Sequence, residues 1–495
     1  MLRYDFAPLI PEAVKVVNAA LTAHGVPNYL IGGVVRDMVG YTEGVDGFQE
    51  FNAKDWDFEC FAGSNYQLRL IVQDIPGLTW KVTGVVFPIL KVRLYELDID
   101  LCLPRTEKST GLGHGDFVGE IMKEHDPERA ALRRDFTVNS MAYDMDTMEL
   151  LDFHHGRAHL LKKVLSPTSQ QFSEDPLRVL RAAKFISRYD FTYSDVLLVP
   201  CHHMKGYMTL SKERLYWEWC DLLNGRWAKA GIEFLRDAKA LWFFAPELEA
   251  LIDVPQDPIH HPEGDAFVHT CMVVQEACRA KLPMYSRFAA ITHDFGKVDT
   301  TTMRKDSGGR WKWTTWEHDE VGVPLAETFI RRITDDADLI AKVCAVTRHH
   351  MAITMRCGFS LRAMIGEKIP TDRWFRKLSV KIQPLSLYDL VCFSKVDHDG
   401  RGGNMGGGRR MSNALMKEYL LKRIGELVIA DSPPPKLLTG KILIERFKVD
   451  PGPEMGTILD AAYEAQLDGA FDSEEGAIQW MIGAISGTGA STAGS

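Results

Sequence analysis

The chain has 495 residues, of which 45% are hydrophobic and 25% charged, and a formal net charge of −9. That length exceeds a single core and implies roughly two to four domains, while the acidic balance excludes a generally basic nucleic-acid coat without excluding a local basic groove. No apolar run approaches the ~20 residues of a membrane span, the N-terminus lacks the pattern of a signal peptide, and nine cysteines without a Cys-x-x-Cys pair fit reduced thiols in a cytoplasm and offer no zinc clip.

Pro11 to His24 reads as an opening helix, with Val14, Val17 and Leu21 at helical spacing. Strands are predicted at 28–32, 55–61, 79–83, 87–94 and 96–103, and the polar stretch between Gly40 and Lys54 reads as an exposed loop. A second loop, Thr110-Gly-Leu-Gly-His-Gly115, lies between Pro104 and Pro127, and its glycines suggest mobility. After Leu151 the strands fade. Residues 173–250 read as helical from the start signal Ser173-Glu-Asp-Pro176. A further helical block, 255–400, is rich in histidine and closes in the glycine-rich stretch from Gly400 to Arg409, which reads as a flexible linker. Two helical stretches fill 411–485 around Pro433-Pro-Pro435, and 486–495 reads as a disordered tail. The expected fold class is α+β: a first domain over 1–150 with a small mixed sheet and helices, then helical domains over 151–250, 251–410 and 411–485.

The chemistry begins at Asp55-Trp-Asp57. Alternate residues of a strand share a face, so both carboxylates project together, a geometry that can bridge two divalent cations for phosphoryl transfer. Upstream, the apolar strand Tyr29-Leu-Ile31 runs through Gly32-Gly33 into a helix carrying Arg36 and Asp37. Backbone N–H groups at such a turn suit a triphosphate. Asp98 and Asp100 offer a third acid on one strand face. Arg133 and Arg134 can neutralise phosphates, Asp135 and Asn139 lie at i, i+4, and Asp175 stands one helical turn before Arg178, an acceptor and a donor suited to a base edge.

In this order the motifs Gly32-Gly-Val-Val-Arg-Asp37, Asp55-Trp-Asp57, Arg133-Arg-Asp-Phe-Thr-Val-Asn139 and Glu174-Asp-Pro-Leu-Arg178 resemble those of the class II tRNA nucleotidyltransferases, the CCA-adding enzymes of the DNA polymerase β superfamily. The resemblance covers residues 10–250. It implies a nucleotidyltransferase palm followed by a helical neck and body, with Mg2+ held by Asp55 and Asp57 and with Asp100, by its place before Arg105, as the third carboxylate. It implies a nucleotide site at Gly32, Gly33, Arg36 and Asp37. By the same carry-over Asp135 and Asn139 contact sugar and phosphates beside Arg134, and Asp175 and Arg178, with Arg181 on the same helix, read C or A in place of a template. The glycine loop at 110–115 falls where the family has its flexible loop. The longer gap between Asp37 and Asp55 departs from the family pattern. The implied partners are CTP, ATP and a tRNA acceptor arm, with neither DNA nor a membrane among them.

A second constellation occupies 260–400. Ala289-Ala-Ile-Thr-His-Asp-Phe-Gly-Lys297 places His293 and Asp294 where the periodicity expects core, and a metal is the simplest compensation for burying both. His269, His293, Asp294 and Asp397 resemble the ligand set of the HD phosphohydrolase superfamily, and His318 and His349 sit where some members bind a second metal. The flanks from His261 to Thr270 and from Arg287 to Lys297 are similar to the HD domain fused to CCA-adding enzymes of some bacteria, which implies a divalent metal and phosphatase or 2′,3′-cyclic phosphodiesterase activity. Leu437 to Ile444 and Asp450 to Asp460 resemble the family's terminal helical module, with Met455, Ile458, Leu459 and Tyr463 on an apolar face.

Two other readings remain open at this point. A bacterial poly(A) polymerase shares the palm and neck motifs, and partial CC- or A-adding specificity is barely separated by them; the acidic stretch Glu464–Glu475 disfavours the first, which expects a basic tail. A reading of another class makes the chain mainly an HD phosphohydrolase whose palm only holds nucleotide or RNA.

Overall fold

The computed structural model describes residues 2–84, 88–109, 117–122, 124–357, 370–402 and 407–489. The glycine loop expected at 110–115 lies outside them. The chain divides into two compact units, 1–249 with 332–334, and 250–331 with 335–495. No helix among the described residues is long and apolar enough to cross a membrane.

In the first unit ten strands precede residue 152: β1 (Leu2–Arg3), β2 (Asn28–Ile31), β3 (Trp56–Cys60), β4 (Thr79–Thr83), β5 (Ile89–Leu94), β6 (Leu97–Cys102), β7 (Arg105–Ser109), β8 (Phe117–Ile121), β9 (Ala142–Asp144) and β10 (Glu149–Leu151). Eight form one sheet in the order β1-β10-β9-β2-β3-β6-β5-β4, and β7 and β8 make a separate hairpin. Among the described residues the only parallel pair in the large sheet is β3–β6.

Alternation along these strands separates core from chemistry. Register aligns Leu30, Phe58, Leu101 and Leu90 in one row across four strands, and all four are fully buried. The next row, on the opposite face, is Ile31, Asp57, Asp100, Lys91 and Lys81. Helices Glu12–Ala23 and Asn65–Val72 bring Val14, Val17, Leu21, Leu68 and Val72 to the core. The stretch 43–55 is less exposed than its polarity suggested: Val45 and Phe48 are buried, and the Phe48 ring stacks on Tyr189 at 4.6 Å.

Beyond residue 151 two short strands, Val164–Leu165 and Thr192–Tyr193, pair in parallel. A 3-10 turn over Gln170–Glu174 replaces the expected helix start, and the helix proper runs Leu177–Tyr189, where Asp175 caps the Leu177 N–H at 3.0 Å. Helices Lys212–Asn224 and Ala228–Asp237 pack against it.

Among its described residues the second unit is helical with one exception. Thr301–Lys305 and Trp311–Thr315 form an antiparallel hairpin where helix was expected, because β-branched and aromatic residues flank the turn Asp306-Ser-Gly-Gly309. The stretch expected to be a linker begins as packed structure. A Cβ on Gly400 would lie 2.6 Å from Val273 Cγ2 and 2.9 Å from its backbone, so glycine there permits close approach to helix Ala266–Arg279. In the terminal module Leu438, Leu443, Met455, Phe471 and Met481 form a core, with Ile458 and Leu459 packed against it. Its last helix, Glu474–Gly489, continues four residues into the stretch expected to be a tail, since a mostly apolar run carries the helical period onward; 490–495 lie outside the described residues.

Candidate active sites

At the palm, β2 ends at Ile31, Gly32 takes φ 78°, and helix Gly33–Thr42 begins. The turn lies beside the acidic row: the Cβ position of Gly32 is 3.7 Å from both Asp57 Oδ2 and Arg134 Nη1. A helix N-terminus, a guanidinium and a carboxylate that meet at one turn suit a metal-bound triphosphate. Arg134 Nη2 is buried without a hydrogen-bond partner, 3.7 Å from Glu59. Asp57 is in register with Asp100 on β6, and Asp55 is exposed one residue before β3. Burial raises the Asp57 carboxyl, opposed by Arg134 and reinforced by Asp100 and Asp55. A guanidinium with one buried nitrogen lacking a hydrogen bond, beside a row of carboxylates, fits a divalent cation with its anionic ligand. Lys91 Nζ lies 2.6 Å from Asp100 Oδ2 and holds that carboxylate; burial works against the Lys91 ammonium, but the Asp100 hydrogen bond and charge outweigh it and raise its pKa.

The other palm and neck residues are drawn into one buried network. Arg36 turns inward: Nη1 donates to Asn139 Oδ1 at 2.7 Å, Nη2 to the Tyr189 hydroxyl at 3.1 Å and Nε to Asp37 at 2.8 Å, with Phe185 and Tyr189 rings beside it. Asn139 Nδ2 donates to Asp135 Oδ1 at 3.0 Å, and Arg181 grips Asp135 Oδ2 through Nε at 2.9 Å and Nη2 at 2.6 Å. With the Phe136 N–H on Oδ1 as well, both Asp135 oxygens already accept two hydrogen bonds each. Burial opposes its charge, yet Arg181 and Asn139 pull the Asp135 carboxyl down to about 2. These residues therefore latch helix Leu177–Tyr189 to the palm, and Asp135 has no oxygen left over for a sugar. The side chains of Asp175 and Arg178 are held by other groups. Asp175 Oδ2 meets Arg214 at 2.8 Å, while Arg178 donates to the Gln171 and Arg133 carbonyls at 2.7 and 2.6 Å.

In the second unit the described residues bring three groups of ligand-type side chains within 4.8 Å: His261, Glu263, His269; His269, His293, Asp397; and Asp294, His318, His350. The palm aspartates do not form such a trio. His349 is buried but stands outside these groups and His350 takes the expected place, because adjacent residues at a helix end point about 100° apart. The imidazoles are oriented from behind. His293, His318 and His350 place Nδ1 on the carbonyls of Ala290, Thr315 and Thr347 at 3.0, 2.8 and 2.7 Å, so Nδ1 carries the proton and each Nε2 turns a lone pair inward. The His318 and His350 Nε2 atoms are then 3.1 Å apart, and His293 Nε2 is buried with no hydrogen-bond partner, 3.2 Å from Asp294 Oδ2. Lone pairs facing lone pairs and a carboxylate fit a cation between them.

His269 differs, since Nδ1 faces Glu263 at 2.8 Å and Nε2 faces Asp397 at 3.1 Å. Burial disfavours its charge, but these two carboxylates outweigh it and raise its pKa. Burial, with His318 and His293 nearby, pushes His350 down to about 3, so it stays neutral. Lys297 Nζ reaches Asp294 Oδ2 at 2.6 Å and Gln256 Oε1 at 2.6 Å.

Residues 28–166 match the Poly A polymerase head domain family. Over 387 residues the chain is 30% identical to the multifunctional CCA protein of Hahella chejuensis, covering 76% of this chain and 82% of that one. It is 35% identical over 385 residues to that of Methylobacillus flagellatus, covering 76% and 84%. The chain belongs to the multifunctional CCA protein family. The fold is shared with the Bacillus stearothermophilus CCA-adding enzyme in complex with CTP, at TM-score 0.60 and 16% identity over 93% of both chains. The Thermotoga maritima CCA-adding enzyme complexed with tRNA matches at TM-score 0.57 and 17% identity, over 98% of this chain and 100% of that one. As a member of this family the chain is a nucleotidyltransferase of tRNA processing.

Sequence reasoning missed Lys91, Glu263 and the ion pair of Asp175 with Arg214, and of the adjacent His349 and His350 it chose the first. The alternation of β5 places Lys91 on the Asp100 face and could have flagged it; Glu263 and His350 depend on tertiary approach that spacing does not encode.

Proposed function

We propose that this chain adds C, C and A to tRNA 3′ ends from CTP and ATP, and that its histidine-rich unit is a metal-dependent phosphohydrolase acting on phosphomonoesters or 2′,3′-cyclic phosphates at such ends. The observation that carries the first part is the Gly32 turn set between Asp57 and Arg134, with Asp100 in register beside them. The tRNA 3′-hydroxyl attacks the α-phosphorus of the nucleotide and pyrophosphate leaves. Asp55, Asp57 and Asp100 are the residues that would hold Mg2+, which when bound would lower the cost of the attacking and departing negative charge. The Gly32–Gly33 turn and Arg134 hold the triphosphate, and the Arg36–Asn139–Asp135–Arg181 network fixes the helix that carries the base-selecting face. Base selection by Asp175 and Arg178 requires Asp175 to exchange Arg214 for the base edge.

The second part is supported by the convergent Nε2 atoms of His293, His318 and His350. His269, His293, Asp294 and Asp397 would hold one divalent cation, and Asp294, His318 and His350 form the second candidate ligand group. Bound cations there would polarise a phosphoester and a water. A divided loss of function tests both halves. Asp57→Ala should abolish nucleotide incorporation and spare phosphatase activity, and His293→Ala should do the reverse; full transferase activity in Asp57→Ala would remove the palm assignment.

A further inference from the structure

Between Lys297 and His318 the chain leaves its helical surroundings for the two-stranded ribbon Thr301–Lys305 and Trp311–Thr315. Both ends are rooted in the candidate metal centre. Thr301 Oγ1 donates to the Lys297 carbonyl at 2.6 Å, and the Lys297 ammonium sits 2.6 Å from Asp294. At the other end the Thr315 carbonyl accepts from His318 Nδ1 at 2.8 Å. Five residues of strand extend about 17 Å.

The ribbon carries more than a connection needs. Trp311 is 60% exposed and Trp316, just past its end, 68%. Register sets Arg304 directly opposite Lys312, and like charges so placed are destabilising. Arg310 is matched by Asp306 at 3.3 Å and Asp257 at 3.4 Å, but among the described residues Arg304, Lys305 and Lys312 have no carboxylate within 4.0 Å. Instead Arg304 lies 5.8 Å from the Trp316 ring and Lys305 5.1 Å from the Trp311 ring. Strand alternation puts Arg304 and Lys312 on one face and Lys305 and Trp311 on the other, so each face offers a cation beside an open aromatic plane.

We propose that this ribbon grips single-stranded RNA for the histidine-rich site, with Trp311 and Trp316 as stacking planes and Arg304, Lys305 and Lys312 as phosphate contacts. Every base has a π-face and every linkage a negative charge, which is what cations without a carboxylate partner, interleaved with exposed tryptophans, complement. The setting rests on the phosphohydrolase reading; the binding test does not.

The test uses the full chain and a short single-stranded RNA, with affinity measured by fluorescence anisotropy across a salt series. Trp316→Ala should weaken binding on the order of tenfold, and Trp316→Phe should keep most of it. Arg304→Ala with Lys312→Ala should lower the slope of log affinity against log salt by about 1.4, at about 0.7 per phosphate contact. Photo-crosslinks from a thiouridine-containing strand should map to residues 301–316. Hydrolysis of an RNA ending in a 2′,3′-cyclic phosphate should fall in kcat/KM in these variants while that of a 2′,3′-cyclic mononucleotide holds. If the wild type hydrolyses neither, the phosphohydrolase reading fails, and the affinities and crosslinks alone judge the ribbon. Unchanged affinity and salt slope, with crosslinks confined to residues 1–249, would overturn the proposal.

Discussion

Asp135→Asn isolates the buried network at the base of the palm. The substitution keeps the shape but removes the charge that Arg181 grips at 2.6 and 2.9 Å. Lowering the Asp135 pKa from 3.8 to about 2 corresponds to roughly 2–3 kcal/mol at about 1.36 kcal/mol per unit. Arg181 keeps Glu218 at 3.3 Å as a second counter-charge, so the loss should fall at ~2–4 kcal/mol, toward the lower end for a broken buried pair. The sign follows from the depressed pKa. Stabilisation by Asp135 is complete above the unfolded value of 3.8 and is lost as pH falls through about 2. The assay is urea unfolding of the full chain, followed by hydrogen exchange in helix Leu177–Tyr189 so that the first unit is read separately. The gap between wild type and variant should be full at neutral pH and should narrow below pH 3.8. A gap under ~0.5 kcal/mol at neutral pH, or one that does not narrow in acid, would refute the assignment of Asp135 as a charged latch.

Three further substitutions probe the sites. Gly32→Ala should cost about 1–3 kcal/mol for a backbone at φ 78° and ψ −139° and lower nucleotide incorporation more than stability, read by comparing kcat/KM with the urea midpoint; unchanged incorporation would detach the turn from the nucleotide. Lys91→Met frees Asp100 from its 2.6 Å partner and should lower the Mg2+ concentration giving half-maximal incorporation, whereas a higher requirement would mean that Lys91 serves the reaction directly. His350→Ala should reduce the divalent metal bound by the full chain in equilibrium dialysis, and His349→Ala should not; equal losses would contradict the placement of His350 in the second ligand group.

Much of the palm was legible because alternation encodes it. Leu30, Phe58 and Leu101 against Asp57 and Asp100 is a period-two pattern that local sequence carries whole. What sequence could not supply was register: that Asp57 stands beside Asp100, and Asp100 beside Lys91, depends on which strands pair. His269, His293, Asp294 and Asp397, which the structure brings close together, were legible as a motif, while the choice between His349 and His350 turns on the phase of a helix end. The hairpin at 301–315 had a local signal, Gly308-Gly309 between Thr-rich and Trp-rich runs, hidden by the helical text on either side. Gly400 shows the reverse error, since composition suggested a linker where glycine serves close packing against Val273. Phe48 was likewise masked by the polar residues around it.

The most direct test of the central claim is incorporation of labelled CTP and ATP, separately and together, onto a tRNA transcript lacking its last three nucleotides. The account predicts two C residues from CTP alone and a stop after C, C and A when both nucleotides are present. Long A tails from ATP alone, or no addition by a chain that retains phosphatase activity, would contradict it.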